Sequence, residues 1–260
     1  MKTKWLLLGL SCFIFLLFAS CQKENDFSDS ELLQGNARLK RVLLFATIDS
    51  EEPLSILEEY EYDEKGRISK VSAPFGDRDG LLYYNLYEYN SANQLMKIVN
   101  YHSNINSPTG LINLKNYIYS YSSDGKIERE YIEYPQINSF EYFVYEYQNN
   151  QFVKINKLVK ISKYDNKNEL ESYVVNQYDN SGKLIKETSY AYDNHCISYT
   201  IHTYSGILLL KSDVYRGGVH LREILRTYDM NNNLIILESN ELSMLSSAMS
   251  CVLRYEYYEE

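Results

Sequence analysis

A seven-residue pattern, Tyr62-Asp63-Glu64-Lys65-Gly66-Arg67-Ile68, returns with drift along most of this chain. It reappears at Tyr89-Asn90-Ser91-Ala92-Asn93-Gln94-Leu95 and Tyr121-Ser122-Ser123-Asp124-Gly125-Lys126-Ile127. Further copies are Tyr164-Asp165-Asn166-Lys167-Asn168-Glu169-Leu170, Tyr178-Asp179-Asn180-Ser181-Gly182-Lys183-Leu184 and Tyr228-Asp229-Met230-Asn231-Asn232-Asn233-Leu234. Self-similarity of this kind marks one supersecondary unit laid down repeatedly, so it constrains the fold before any other feature does.

Each copy places Asp, Asn or Ser at the first position of a four-residue turn and Gly or Asn at the fourth. That combination suits a type I turn closed by a left-handed residue. The short polar side chain caps its own backbone, and Gly66, Asn93, Gly125, Asn168, Gly182 and Asn232 tolerate positive φ. Asp63, Asp179 and Asp229 are therefore assigned as turn-capping residues. The flanks carry tyrosines two apart, as at Tyr60 and Tyr62, Tyr87 and Tyr89, and Tyr117, Tyr119 and Tyr121. A spacing of two puts each set on one face of a strand, whereas a helix would splay it apart. Tyrosine suits such strands because its ring packs across neighbours while its hydroxyl stays wet.

The breakers agree with this assignment. Beyond the first twenty residues every Gly and every Pro falls in an expected turn or in the N-terminal linker, and strand interiors exclude both. Worn copies at Tyr147-Gln148-Asn149-Asn150-Gln151-Phe152 and Tyr192-Asp193-Asn194-His195-Cys196-Ile197 read as one residue shorter. The pattern predicts on the order of sixteen strands joined by short turns, hence an all-β antiparallel meander. Twist accumulates over that many strands. The expected form is a curled or coiled single sheet open at its edges; the alternative is a closed β-barrel.

From Leu54 to the C-terminus these residues resemble the tyrosine–aspartate (YD, or Rhs-type) repeats of bacterial surface and toxin-shell proteins. With the leader described next, the chain looks like the repeat-bearing surface lipoproteins of the Bacteroidetes, a family of unknown function. The resemblance implies an elongated Tyr-rich sheet. The chain has too few copies for a cargo shell, and it lacks the Arg-rich core box and trailing toxin domain of such shells.

Residues 1–20 read as a lipoprotein signal peptide: Lys2 and Lys4, then an apolar run from Trp5 to Phe18, then small residues. Phe18-Ala19-Ser20-Cys21 resembles a lipobox, which implies diacylation of Cys21 and a membrane partner through that lipid. Gln22-Lys23-Glu24-Asn25-Asp26 resembles the Lys-plus-acidic signal for export to the cell surface, so the expected location is the outer membrane, lipid-anchored and surface-exposed. Residues 21–38 form the lipidated N-terminus and a polar tether, and 39–260 the repeat domain. The whole chain has a formal charge of −9, and losing the leader removes two lysines and no acid. No Lys/Arg cluster of the kind phosphates require is present, which excludes nucleic acid as partner. Of the four cysteines, Cys12 leaves with the leader and Cys21 takes lipid. Cys196 and Cys251 then form either a disulfide or two buried free thiols.

Motifs that carry chemistry are sparse. There is no G-x-S-x-G, H-E-x-x-H, C-x-x-C or Gly-rich phosphate loop. His195 and His202 are seven apart and face opposite ways on one strand, and Cys196 and His202 lie too far apart along it to share a metal. Asp63, Asp165, Asp179 and Asp229 are explained by turn capping without calcium. No catalytic residue, metal or cofactor is assigned. Glu58, Glu59 and Glu61 are the densest acidic cluster, and a strand's solvent face accounts for them. The sequence therefore points to a non-catalytic interaction module whose Tyr-rich sheet binds a protein or glycan, or serves outer-membrane assembly. The alternative is a surface glycoside-active enzyme using carboxylates on adjacent strands.

Overall fold

The structure, a computed structural model, describes residues 37–74, 82–103, 110–150, 155–241 and 251–258. Sixteen strands run in order: β1 (Leu39–Phe45), β2 (Ser55–Tyr62), β3 (Ile68–Pro74), β4 (Leu82–Tyr89), β5 (Leu95–Ser103), β6 (Leu111–Tyr121), β7 (Ile127–Tyr134), β8 (Ser139–Asn150), β9 (Ile155–Tyr164), β10 (Leu170–Tyr178), β11 (Leu184–Ala191), β12 (Cys196–Ser205), β13 (Leu208–Arg216), β14 (Val219–Tyr228), β15 (Leu234–Glu241) and β16 (Cys251–Tyr257). Every strand pairs antiparallel with its sequence neighbours, so the chain is the all-β meander that the repeat predicts. There is no helix among the described residues.

The sheet closes. β1 pairs with β16 from Leu39↔Tyr257 to Phe45↔Val252, giving the closed barrel that was the alternative and removing the open edges of the first expectation. Two edge strands would leave a row of unpaired backbone groups, and accumulated twist brings the first and last strands of a long sheet within reach of each other. Specific contacts hold the seam. Arg41 forms an ion pair with Glu256 at 2.6 Å, the Tyr258 amide donates to the Arg38 carbonyl at 2.8 Å, and the Tyr258 hydroxyl donates to the Tyr60 carbonyl at 3.0 Å. The closing strand, β1, precedes the first legible repeat copy at Tyr62.

The two faces differ in chemistry. Paired residues share a face, so the registers trace one wall through Val42, Tyr60, Val71, Ile224, Leu237 and Leu253, which form a buried cluster. This is the inner wall. The outer wall carries cross-strand partners such as Lys70 and Glu61 and Glu146 and Lys160. A second, smaller apolar cluster of Leu43, Phe45 and Val252 lies on the outer wall. There the β1–β2 connection folds down, with Arg254 donating to the Ile48 and Ser50 carbonyls and lying 3.9 Å over the Phe45 ring.

Strand alternation puts the turns at two rims. The N-terminal rim, where β1 begins and β16 ends, holds the turns at 63–66, 90–93, 122–125, 179–182 and 229–232. The far rim holds the turn at 165–168, so one of the six signature copies lies at the opposite end from the other five.

Candidate functional site: the stitched rim and the polar inner wall

At the N-terminal rim each turn repeats one geometry. The Gly66 amide donates to the Asp63 carbonyl at 2.9 Å, and the Asp63 amide to the Arg67 carbonyl at 2.8 Å. Asp63 Oδ1 accepts from the amides of Lys65 and Arg67, both at 2.9 Å, and Asp179 and Asp229 repeat the arrangement. The fourth residues sit at positive φ: Gly66 78°, Asn93 64°, Gly125 85°, Asn168 66°, Gly182 97° and Asn232 66°. A register shift follows at each signature tyrosine of this rim, as between Glu61 and Tyr62 or Glu88 and Tyr89. This is the bulge that such turns impose on the strand leaving them.

These tyrosines do not keep their hydroxyls in water. Tyr62 donates to the Leu39 carbonyl (2.9 Å), Tyr89 to Ile68 (2.9 Å), Tyr121 to Leu95 (2.6 Å) and Tyr178 to Leu158 (2.8 Å). Tyr204 donates to Leu184 (3.0 Å), Tyr228 to Leu209 (2.8 Å) and Tyr257 to Leu234 (2.8 Å). In each case the tyrosine lies at or next to the end of an even-numbered strand, and the carbonyl belongs to the first four residues of the strand before it. Strands splay at the rim, leaving carbonyls beyond the ladder that need a donor. Where signature copies follow one another at this rim, as at Tyr89 with Ile68 and Tyr121 with Leu95, the Tyr and Ile/Leu columns are two halves of one bond joining successive copies. Burial is the main reason the Tyr62 and Tyr257 hydroxyls have pKa values pushed up to about 12.

A second stitch runs from turn to turn. Arg67 donates to the Asn93 side-chain oxygen at 3.0 Å, and Gln94 to the Gly125 carbonyl at 3.3 Å. A Cβ on Gly66 would lie 2.8 Å from Arg38 Nη2, and one on Gly182 3.4 Å from Lys157 Nζ. Both contacts are the tips of flexible side chains, and Asn93, Asn168 and Asn232 carry a Cβ in the same column, so the left-handed backbone is what selects Gly or Asn there. The same cations cover rings: Arg38 over Tyr62, Arg67 over Tyr89, Lys126 over Tyr147, Lys157 over Tyr178 and Lys183 over Tyr204, at 4.3–5.7 Å from the centroids.

On the inner wall, one buried acid, Glu58, and two half-buried ones, Glu130 and Glu141, are met by tyrosines. Tyr60 donates to Glu58 Oε2 at 2.5 Å, Tyr145 to Glu130 Oε2 at 2.6 Å and Tyr134 to Glu141 Oε1 at 2.8 Å. Burial pushes the Glu58 carboxyl up to about 7, against a smaller opposing effect of the Tyr60 bond. Burial also raises Tyr60, Tyr119 and Tyr145 well above the usual phenol range, with Glu58 or Glu130 adding to it. Further round the wall, Glu187, His202, Ser212 and Arg226 lie on four successive strands. His202 Nδ1 is 3.0 Å from Ser212 Oγ and Nε2 is 3.3 Å from Glu187 Oε2, while Arg226 donates to Ser212 Oγ at 2.9 Å. The order Ser–His–Glu has the composition of a hydrolase triad, but Ser212 is only 2 % exposed and its oxygen already bonds both His202 and Arg226. The row acts as a satisfied buried network. Sequence reasoning missed it because its members share no motif; only the register between β11, β12, β13 and β14 aligns them.

The other residues singled out from sequence fall as follows. Cys21 and its lipobox lie outside the described residues. Cys196 is exposed and Cys251 half-buried, so the two are not the pair of buried thiols that was one alternative. They stand on β12 and β16, four strand intervals apart at roughly 4.8 Å each, well beyond disulfide reach. Glu58, Glu59 and Glu61 do not converge: Glu58 is buried inward, while its two neighbours face out and are exposed. The copy at Tyr192 is not shortened. Its turn spans Ala191 to His195 with Asn194 at φ 68°, so Tyr192 lies inside the turn and is 69 % exposed. At Tyr147, β8 runs on through Asn150, and residues 151–154 lie outside the described residues. The capping carboxylates are occupied by protein donors: Asp63 Oδ2 takes Arg67 at 2.7 Å, and Asp229 Oδ2 takes Asn233 at 2.9 Å. These bonds hold both carboxyls below the usual range.

Toward the far rim the outer wall carries tyrosine stacks: Tyr84 on Tyr101 at 5.2 Å, Tyr142 on Tyr164 at 5.0 Å, Tyr173 on Tyr190 at 5.0 Å and Tyr199 on Tyr215 at 4.7 Å. Rings stacked on one another turn their faces inward to the pair and present edges to solvent, which is poor geometry for stacking on sugars.

No family model matches this chain, and no curated protein matches it. Among solved structures it is similar to a porin-like protein from Bacteroides uniformis, at 11 % identity and TM-score 0.44, over 73 % of this chain and 97 % of that one. It is also similar to a porin-like protein from Bacteroides vulgatus, at 12 % identity and TM-score 0.42, over 86 % and 99 %. A third likeness, to TcdB2-TccC3, has 11 % identity and TM-score 0.22, over 73 % of this chain and 12 % of that one.

Proposed function

We propose that this chain is a lipid-anchored interaction module at the outer membrane, its barrel held outside the bilayer and working by binding rather than catalysis. The observation that carries this reading is the outer wall. A barrel that crosses a membrane needs an outward apolar band about 25 Å tall. Here the outer positions carry Glu59, Glu61, Glu88, Arg129, Glu133 and Glu146, all exposed on their strands, with Lys70 paired to Glu61 and Lys211 to Glu223, both at 2.7 Å. Such a wall suits water, and membrane attachment then falls to the lipid on Cys21. Residues 1–20 act as the signal peptide, 21–38 as the tether and 39–260 as the binding domain.

The partner we favour is a protein or an assembly component rather than a glycan, because the outer tyrosine faces are taken up by one another. The test is direct. Residues 22–260 expressed without lipid should be monodisperse in buffer without detergent. Cys21→Ala in the full chain should release the protein from the outer-membrane fraction or hold it at the uncleaved leader. A fragment that needs detergent and conducts ions in vesicles would make the barrel itself a channel and overturn the reading.

A further inference from the structure

We infer that the N-terminal rim is a membrane-facing surface that rests on anionic phospholipid headgroups. The proposal deepens the anchoring reading, since it assigns which end of the barrel meets the bilayer.

Three observations meet at this rim. The chain enters the barrel here, at Arg38 and Leu39, so any tether from Cys21 delivers this end first. The rim is ringed by the cations Arg38, Arg67, Lys126, Lys157 and Lys183, each steadied over a tyrosine. Asp63, Asp179 and Asp229 turn their carboxylates onto turn amides. Asp63 pairs with Arg67 at 2.6 Å and Asp124 with Lys126 at 3.4 Å, which leaves Arg38, Lys157 and Lys183 as the ring's cations without an acid partner among the described residues. Two apolar side chains also stand out from the same edge: Met230 is 96 % exposed and Ile207 62 % exposed, in adjacent turns of this rim. Cations beside projecting apolar side chains are the combination that binds a lipid interface, with headgroup phosphates meeting the charge and the apolar side chains entering below them. Among the described residues the far rim carries the acids Asp49, Glu51, Glu52, Asp165, Glu169 and Asp193 against the cations Lys167 and Arg216, and an anionic surface would repel that excess of acids. The chain's overall negative charge thus conceals an axial asymmetry.

The chain supplies its own reporter site. Its one tryptophan is Trp5, in the leader, so Met230→Trp in residues 22–260 is a single probe at the N-terminal rim. Ile137→Trp, at a residue 72 % exposed on the far rim, is the control. Each is mixed with phosphatidylcholine vesicles with or without about 30 % phosphatidylglycerol. The expected result is a blue shift for Met230→Trp on the anionic vesicles alone, reversed at about 0.5 M salt, with Ile137→Trp unchanged. Lys157→Glu with Lys183→Glu should lower partitioning by at least about tenfold, with circular dichroism confirming the fold. If that pair does not fold, the probe on the unreversed background still decides. No shift, an equal shift on neutral vesicles, or a shift at both rims overturns the proposal. So does binding to an anionic polysaccharide matched by none to vesicles. These vesicles contain no lipidated protein, so a failure here leaves the Cys21 anchor standing, and a failure of Cys21→Ala leaves the rim standing.

Discussion

The Tyr89 hydroxyl donates to the Ile68 carbonyl at 2.9 Å, joining the first residue of one repeat copy to the last residue of the copy before it. The β3–β4 ladder reaches only Lys70↔Leu86, so this carbonyl lies beyond the last pair and the side chain finishes what the backbone does not. The bond recurs at seven of the strand pairs around the rim, so it ties hairpins to their neighbours there rather than leaving them separate.

The hydroxyl, not the ring, should therefore be what stability requires at this column. Tyr89→Phe keeps the ring under Arg67 and deprives a carbonyl of its donor, at a cost of about 1 kcal/mol. Tyr164→Phe should be close to neutral, because Tyr164 sits at the far rim and keeps its 5.0 Å stack on Tyr142 without its hydroxyl. Chemical denaturation of the two variants beside the parent reads the difference. Equal losses would show that the signature tyrosine serves the same purpose at both rims.

That contrast shows how far the sequence could be read. Strand, turn and meander were legible because alternation and turn chemistry are local: Asp63, Gly66 and their equivalents declare themselves within seven residues. Closure was not, since it depends on β1 meeting β16 across more than two hundred residues, and Arg41 and Glu256 carry no local mark of their ion pair. The hydroxyl role of Tyr89 was hidden for a related reason. Spacing of two says which face a ring takes, but not that strand splay leaves a carbonyl within its reach. The Glu187–His202–Ser212–Arg226 row was invisible because register alone assembles it.

Positive φ costs Asn more than Gly, so replacing the turn asparagines should separate backbone strain from side-chain contact. Asn232→Gly, at φ 66°, should be neutral or stabilising by a few tenths of a kcal/mol. Asn93→Gly gains the same relief but loses the oxygen that accepts from Arg67 at 3.0 Å, and it should come out net destabilising. Matched thermal melts would show the order; reversal of the two would mean that the turn-to-turn stitch contributes nothing.

The thiols give a chemical check on the topology. Cys196 is exposed and Cys251 half-buried, so a thiol reagent should modify Cys196 quickly in the native protein and Cys251 more slowly. Both should be accessible after denaturation without reductant. An intact-mass deficit of two hydrogens in protein refolded under oxidising conditions would reveal an intramolecular disulfide, and with it a strand arrangement different from the one described.

The last prediction concerns Glu58, which faces inward at 8 % exposure with the Tyr60 hydroxyl 2.5 Å from its carboxyl. Burial raises it from 4.5 to about 7, so the folded state prefers the protonated acid more than the unfolded chain does. Its contribution is fully present below pH 4.5 and is lost as pH rises through about 7. Between those limits the folded protein binds more protons than the unfolded one, and stability falls with pH. The full loss is on the order of 3 kcal/mol at most, at about 1.4 kcal/mol per unit. Glu58→Gln keeps an oxygen for Tyr60 and removes the titration, so its melting temperature should fall less than the parent's between about pH 5 and 8. The acids at the turns act in the opposite direction and at lower pH: Asp63 and Asp229 have lowered pKa values, so their contribution disappears only as pH falls through the acid range. The two effects are separable on one pH axis. An unchanged slope in Glu58→Gln between neutral and mildly acidic pH would place the inward carboxyl in contact with water and remove Glu58 as the origin of the neutral-range loss.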